Sequence, residues 1–102
     1  MNFTHLFALF EVARAGSISA GAERLHVSQP AVTREIRELE DRLGLALFGR
    51  LPRGVRLTDA GTILLRYAEQ IFSLADAAEW ELNRRPSFFY PPRWRLLAMW
   101  SE

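Results

Sequence analysis

Apolar residues recur at helical spacing near the start of the chain. Between residues 3 and 15, Phe3, Leu6, Phe7, Phe10 and Ala13 form pairs at three- and four-residue intervals. This spacing predicts an amphipathic helix with one buried side. Gly16 follows directly and predicts the end of the helix, because glycine readily adopts the left-handed conformation that is common at this place.

A second, shorter helix is predicted to begin at Ser19, acting as its capping residue, and to bury the apolar side of AGAERL. Residues 26–28, HVS, then form a three-residue turn. We expect a left-handed backbone at His26, which histidine tolerates better than most residues other than glycine. The only other histidine is His5. No spacing predicts a partner for either, so neither is assigned as a ligand or a base.

The segment QPAVTREIRELEDRL predicts a third helix whose two sides differ in character. Ser28 caps its first turn, and Pro30 stands within that turn, where its missing N–H costs no hydrogen bond. The buried side is predicted to carry Val32, Ile36, Leu39 and Leu43. The opposite side carries Pro30, Thr33, Arg34, Arg37 and Asp41, with Gln29 close to it. Because the arginines precede the acidic residues, only the N-terminal half suits a polyanion.

After Gly44 the pattern changes to two short apolar runs, LALFGR and VRL, separated by LPRG. They predict two strands of a hairpin with its tip at residues 52–54. Arg50, Arg53 and Arg56 make this hairpin basic.

A long helix is predicted from the capping residue Thr58 to Asn83, about 25 residues or roughly 37 Å. Small and large apolar residues repeat along one side of it, at Leu64, Ala68, Ile71, Ala75, Ala78 and Leu82. Such a seam packs either on a partner helix or on the chain's own core. We favour the partner helix, because the preceding domain is too small to cover so long a helix.

Composition narrows the class of protein. With 102 residues, 49% of them apolar and 25% charged, the chain fits one soluble domain with a modest core. No run of eighteen apolar residues predicts a membrane span, and no basic segment near the N-terminus predicts a secretory signal. The absence of cysteine fits the cytoplasm, where we expect the protein to act.

The distribution of basic residues says more than the net charge of +1. All thirteen are arginines, and seven of them lie between residues 24 and 56. Arginine binds phosphates and guanine through two parallel hydrogen bonds, although it is also an ordinary surface residue.

Two helices joined by a short turn, followed by a basic hairpin, predict a mainly α fold, a winged helix-turn-helix with a long helix after it. The major groove of B-DNA is about 12 Å wide and admits one helix. Gln29, Thr33 and Arg34 would then meet their partner in another molecule, double-stranded DNA.

The segment FEVARAGSISAGAERLHVSQPAVTREIRELEDRLGLALFGRLPRGVRLTDAG resembles the N-terminal DNA-binding domain of LysR-type transcriptional regulators. The strings A-x-R-L-x-V-S-Q-P-A-V and L-G-x-x-L-F-x-R are specific for that family, and the resemblance runs from Phe3 to Asn83. It implies a DNA-binding domain over residues 1–57 and a linker helix over 58–85 that pairs two subunits. A homodimer or higher homo-oligomer is the implied assembly.

The resemblance also implies roles for individual residues. The residues expected at base edges in the major groove are Gln29, Pro30, Thr33 and Arg34. Those expected near phosphates are Ser19, Ser28 and Arg37. In the wing, Arg50 and Arg53 would reach the DNA backbone or the minor groove. No metal and no cofactor is implied.

The resemblance ends before residues 86–102, which are rich in proline and aromatic residues. This segment is interpreted either as an altered or truncated reading frame or a remnant of cloning, or as a real segment that docks its aromatic residues on a neighbouring subunit. Family members carry a larger sensor domain for a small-molecule effector. We expect that domain to be missing here, so no effector is assigned.

Two other classes of function compete with DNA binding. In a helical protein-binding module, the seam and the tail would hold a partner while the arginines only face solvent. An enzyme is disfavoured, because the sequence has no glycine-rich phosphate loop, no metal-ligand cluster and no Ser-His-acid set.

Overall fold

A computed structural model describes residues 1–84, within which four helices and one two-stranded antiparallel sheet occur. This architecture confirms the predicted mainly α fold. The chain divides into two compact units, the first from Met1 to Ile71 and the second beginning at Phe72. The elements are α1 (Phe3–Ala15), α2 (Ile18–Leu25), α3 (Gln29–Leu43), β1 (Phe48–Arg50), β2 (Val55–Leu57) and α4 (Asp59–Asn83).

The boundary between α1 and α2 differs from the prediction in the residue that caps α2. Gly16 ends α1 with φ 84°, as expected for a left-handed cap. The cap of α2, however, is Ser17, whose extended backbone lets its Oγ accept a hydrogen bond from the amide of Ala20 at 3.1 Å. The assignment of Ser19 as the cap is therefore wrong, because Ser19 already lies within the first helical turn.

The turn between α2 and α3 confirms three predictions. His26 has the left-handed conformation, with φ 57°. Ser28 caps α3, since its Oγ accepts a hydrogen bond from the amide of Ala31 at 3.2 Å. Pro30 lies in the first turn of α3, where no backbone donor is needed.

The core of the first unit joins α3 to α1. Val32 and Ile36 pack with residues of α1 and α2, while Leu39 packs with Leu9 and Leu47. These three α3 residues are buried as predicted. Leu43 is exposed, contrary to prediction, because it is the last residue of α3 and lies outside both buried clusters.

The hairpin forms, with its second strand over the predicted VRL and its first strand shorter than the predicted LALFGR. Its register pairs Phe48 with Leu57 and Arg50 with Val55. Leu47 stays outside the sheet, because its amide donates to the Glu40 carboxylate of α3 at 2.7 Å instead of to a neighbouring strand. A polar contact from the helix thus sets where β1 begins.

A backbone contact attaches the hairpin to the corner between α1 and α2. The amide of Val55 donates to the carbonyl of Gly16 at 3.1 Å. Gly54, with φ 92°, comes so close to the same carbonyl that a Cβ at this position would collide with it. The tip of the hairpin is therefore held beside the start of α2.

The start of α4 is attached to the hairpin through Thr58. Its hydroxyl donates to the carbonyl of Ala46 at 2.6 Å and accepts from the amide of Gly61 at 3.1 Å, which confirms Thr58 as the cap. Leu64 packs against the cluster of Leu9, Leu39 and Leu47. Within residues 1–84, no helix combines the length and apolar character that crossing a membrane requires.

We predict that Gly61→Ala lowers the free energy of unfolding. Alanine favours a helix over glycine by about 1 kcal/mol. A Cβ at Gly61, however, would overlap the carbonyl oxygen of Leu47 and approach a methyl group of Leu57 to 2.9 Å. Overlap with a fixed backbone atom outweighs the propensity gain, so we expect a net loss of about 1–3 kcal/mol in urea denaturation.

Gly49→Ala is the matched control, because a Cβ there meets no atom within 4 Å. It should change stability by less than about 0.5 kcal/mol. Equal stability of the two variants would show that Leu47 does not restrict Gly61.

Candidate nucleic-acid interface

The outward side of α3 carries the residues that the sequence assigned to base edges. Gln29, Pro30 and Arg34 are exposed, and Thr33 is half-buried. They line one continuous surface together with Arg37, Glu38 and Asp41. Burial of the opposite side of α3 is what turns these side chains away from the core.

Within residues 1–84, the arginines on the outward side of α3, Arg34 and Arg37, have no acidic partner. Among residues 1–84, the arginines found in ion pairs are Arg14 and Arg24, whose guanidinium groups lie 3.9 and 3.7 Å from the carboxylate of Glu11. Arg34 and Arg37 form no ion pair within that part of the chain. Their N–H groups are therefore available to an external acceptor.

A groove runs between the start of α2, the outward side of α3 and the hairpin. Its lining includes Ser19, Gln29, Thr33, Arg37 and Arg50. Residues predicted separately for bases, for phosphates and for the wing thus come together along one groove. The attachment of the hairpin to Gly16 holds the far wall of this groove in place.

Four predicted contact residues lie outside this groove lining: Pro30 and Arg34 on the outward side of α3, and Ser28 and Arg53. Ser28 is exposed at the start of α3, and since its oxygen accepts from Ala31, its O–H remains a free donor. Arg53 is exposed at the tip of the hairpin. The positive end of the α3 helix dipole also lies at Ser28 and favours an anion there.

The predicted seam of α4 divides into two parts. In the first unit, Ala68 is fully buried and Leu64 packs on the core, so these two residues belong to the chain's own core rather than to an exposed seam. The reason is that the start of α4 lies against the Leu47 cluster. Ile71 is half-buried. In the second unit the remaining seam residues are exposed: Ala75, Ala78 and Leu82.

One polar cluster was missed by the sequence analysis. The buried His5 of α1 places its Nε2 3.2 Å from the carboxylate of Glu38 and 3.4 Å from that of Glu35. The sequence does place Glu35 and Glu38 one turn apart on α3. It contains no signal that α1 crosses α3 at this point, so the partner of His5 could not be found.

A helix-turn-helix with an arginine-bearing outer helix and an attached basic hairpin defines the winged helix-turn-helix class of proteins. The model of the family described as "Bacterial regulatory helix-turn-helix protein, lysR family" matches residues 3–62. The chain belongs to this family. It is a family of transcriptional regulators rather than of enzymes.

Curated relatives are regulators of the same kind. The chain is 53% identical over 68 residues to the HTH-type transcriptional regulator PcaQ of Agrobacterium fabrum, a match that covers 67% of this chain and 22% of PcaQ. It is 46% identical over 76 residues to ClcR of Pseudomonas putida, covering 74% of this chain and 26% of ClcR. The chain therefore matches only about a quarter of the length of these relatives.

Two solved structures of isolated DNA-binding domains are matched over almost their whole length. The domain in the CbnR_DBD-DNA complex is 42% identical with a TM-score of 0.73, over 82% of this chain and 97% of that chain. The domain in the BenM_DBD/catB site 1 DNA complex is 31% identical with a TM-score of 0.77, over 82% of this chain and 93% of that one.

Proposed function

We propose that the domain binds double-stranded DNA sequence-specifically as a homodimer, with the N-terminal half of α3 in the major groove and the hairpin as its wing. One observation carries this proposal. On the outward side of α3, Arg34 and Arg37 have no acidic partner in the described chain, and this side borders a groove whose other wall is the hairpin. The similar CbnR and BenM domains form complexes with DNA, which supports binding to DNA by this domain.

The proposal assigns base contacts to the start of α3. The amide of Gln29 donates and accepts, which suits an adenine edge, whereas the guanidinium of Arg34 only donates, which suits O6 and N7 of guanine. Pro30 and Thr33 lie between them on the same surface and supply apolar contact, for which the thymine methyl group is the fitting partner. All four residues belong to the first two turns of α3, the part of a recognition helix that reaches base edges.

Phosphate contacts are assigned to the rim of the groove. Ser19 at the start of α2 and Arg37 present hydrogen-bond donors to the groove, and Ser28 presents one beside it, at the start of α3. Such contacts position the protein without reading sequence. In the wing, Arg50 faces the groove and Arg53 stands at the tip, where it would meet the backbone or the minor groove.

The second half of α4 is assigned to dimerisation. Ala75, Ala78 and Leu82 repeat at three- and four-residue spacing and are all exposed. Leu74 beside them is 70% exposed. Exposed apolar residues in this pattern fit a partner helix, and a second copy provides a matching one.

A protein that binds DNA in this way in a bacterium acts in the cytoplasm.

The experiment that tests the proposal is selection of duplexes from a random library, followed by competition binding. We expect one enriched sequence with two half-sites spaced by about 34 Å or a multiple of it. We also expect salt-sensitive binding to random duplex DNA. Absence of salt-sensitive binding would favour the protein-binding module instead.

We predict that base-reading and backbone-binding residues differ in their effect on selectivity. Gln29→Ala and Arg34→Ala should narrow the ratio of affinities for the selected and random duplexes, because a good base contact contributes about 1–3 kcal/mol of discrimination. Arg53→Ala should weaken both affinities alike. It should also lower the slope of log K against log salt by about one phosphate contact per subunit.

Competition binding at several salt concentrations separates the two effects. If Gln29→Ala and Arg34→Ala leave the selectivity unchanged, α3 positions the domain without reading bases, and specificity comes from the wing or from DNA shape.

We predict that Ala75→Asp converts the dimer to monomer in sedimentation, because it places a carboxylate on the exposed apolar side of α4. Ser73→Asp is the matched control, since Ser73 is also exposed and lies about 200° around the helix from Ala75. Ile71 is less suitable because it is half-buried in the first unit. An unchanged dimer for Ala75→Asp, or equal dissociation for both variants, would place the interface elsewhere.

A further inference from the structure

The cluster of His5, Glu35 and Glu38 lies directly behind the surface assigned to DNA. His5 is buried, whereas the side chain of Glu38 is 53% exposed and lines the same outward surface of α3 as Arg34 and Arg37. A carboxylate on this surface opposes binding to a polyanion in two ways. It repels phosphates, and it competes with DNA for the neighbouring guanidinium groups.

Among the residues assigned to bases and phosphates, Arg34 is the cation that Glu38 could neutralise across one turn of the helix. The two residues are four positions apart on α3 and therefore adjacent on its surface. Helical side chains lean toward the N-terminus of the helix, which directs Glu38 toward the turn of Arg34. Nevertheless, no Arg34–Glu38 ion pair is among those formed within residues 1–84.

The position of His5 accounts for this. Its Nε2 donates to the Glu38 carboxylate at 3.2 Å, and the Glu35 carboxylate lies 3.4 Å from the same nitrogen. One N–H group thus faces two carboxylates that would otherwise repel each other. Glu38 is held toward α1 as a result, and Arg34 keeps its donors for another partner.

We propose that His5 is a positioning residue for DNA binding: it holds the Glu38 carboxylate against α1 and so keeps Arg34 free to contact DNA. The inference rests on the proposed role of Arg34 at base edges. It adds His5, a residue of α1 that does not itself line the outward side of α3, to the residues that set the affinity for DNA.

A divalent cation held by the same three side chains is the competing interpretation, since their ligand atoms lie within 4.8 Å of one another. A metal on Nε2 would place the ring hydrogen on Nδ1, which in metal sites donates to an acceptor. In the described chain Nδ1 is buried and has no hydrogen-bond partner. The geometry therefore favours the direct hydrogen bond from Nε2 to the carboxylate.

The test is a set of double-mutant cycles, read as affinity for a duplex selected by the wild-type protein. His5→Phe fills the buried site and removes the N–H, which releases Glu38 toward Arg34. We expect about a two- to fivefold loss of affinity, the size of one competing i,i+4 ion pair on each of two recognition helices. His5→Gln, which retains an N–H donor, should stay closer to the wild type.

The second substitution in each cycle separates positioning from a structural role. In a Glu38→Gln background, His5→Phe should cost nothing, because residue 38 then carries no carboxylate to compete with DNA for Arg34. In an Arg34→Ala background the cost should likewise vanish. If His5→Phe weakens binding equally in the Glu38→Gln background, or has no effect on the wild type, the inference is overturned.

Three controls complete the design. Thermal denaturation verifies folding, and His5→Asn, too short to reach Glu38, replaces His5→Phe if that variant does not fold. If Arg34→Ala leaves the selectivity unchanged, both the proposed base contact and this inference are overturned. If Arg34→Ala lowers the selectivity but the affinity losses in the double-mutant cycles are additive, only the inference is overturned. If zinc changes the affinity for DNA and His5→Phe abolishes that change, the positioning role of His5 is overturned in favour of a metal site.

Discussion

The candidate site depends on how α3 is rotated about its own axis. Three buried residues, Val32, Ile36 and Leu39, fix this rotation because they pack in the clusters that also contain residues of α1. Each such side chain contributes about 1.5–3 kcal/mol when it is fully buried. A helix rotated by one residue would lose this burial and bring either Arg37 or the two carboxylates of Glu35 and Glu38 toward the core. The apolar side of α3 therefore determines which polar side chains face outward.

The groove beside α3 needs a second wall, and backbone contacts supply it. The carbonyl of Gly16 accepts from the amide of Val55, so the corner between α1 and α2 holds the hairpin. At the other end of the hairpin, Glu40 of α3 accepts hydrogen bonds from the amides of Leu47 and Phe48. The wing is thus tied to the same helices that carry the predicted DNA contacts, and Arg50 is placed against the groove as a consequence.

Sequence reasoning recovered what depends on local pattern. Helix spacing, the glycine after α1 and the serine and proline at the start of α3 each act within one or two turns, so a single sequence displays them. The cap of α2 was assigned to Ser19 instead of Ser17 because the two serines have the same side-chain chemistry. Only the extended backbone of Ser17 distinguishes them.

Features that depend on the contact of distant segments were less visible. The period of α4 shows one apolar side, but it does not show that Ala68 is covered by the chain itself while Ala75 is exposed. The pairing of His5 with Glu38 joins residues 33 positions apart. The predicted tail, residues 86–102, lies outside the described residues, so both interpretations of it remain predictions.

The central claim is that the outward side of α3 lies in the major groove, and chemical footprinting of the selected duplex tests it most directly. Dimethyl sulfate methylates guanine N7, which faces the major groove, and adenine N3, which faces the minor groove. We predict that bound protein protects guanine N7 in two major-groove segments about 34 Å apart or a multiple of it, and that Arg34→Ala removes part of that protection. Protection confined to adenine N3, or guanine N7 reactivity unchanged by binding, would contradict the account.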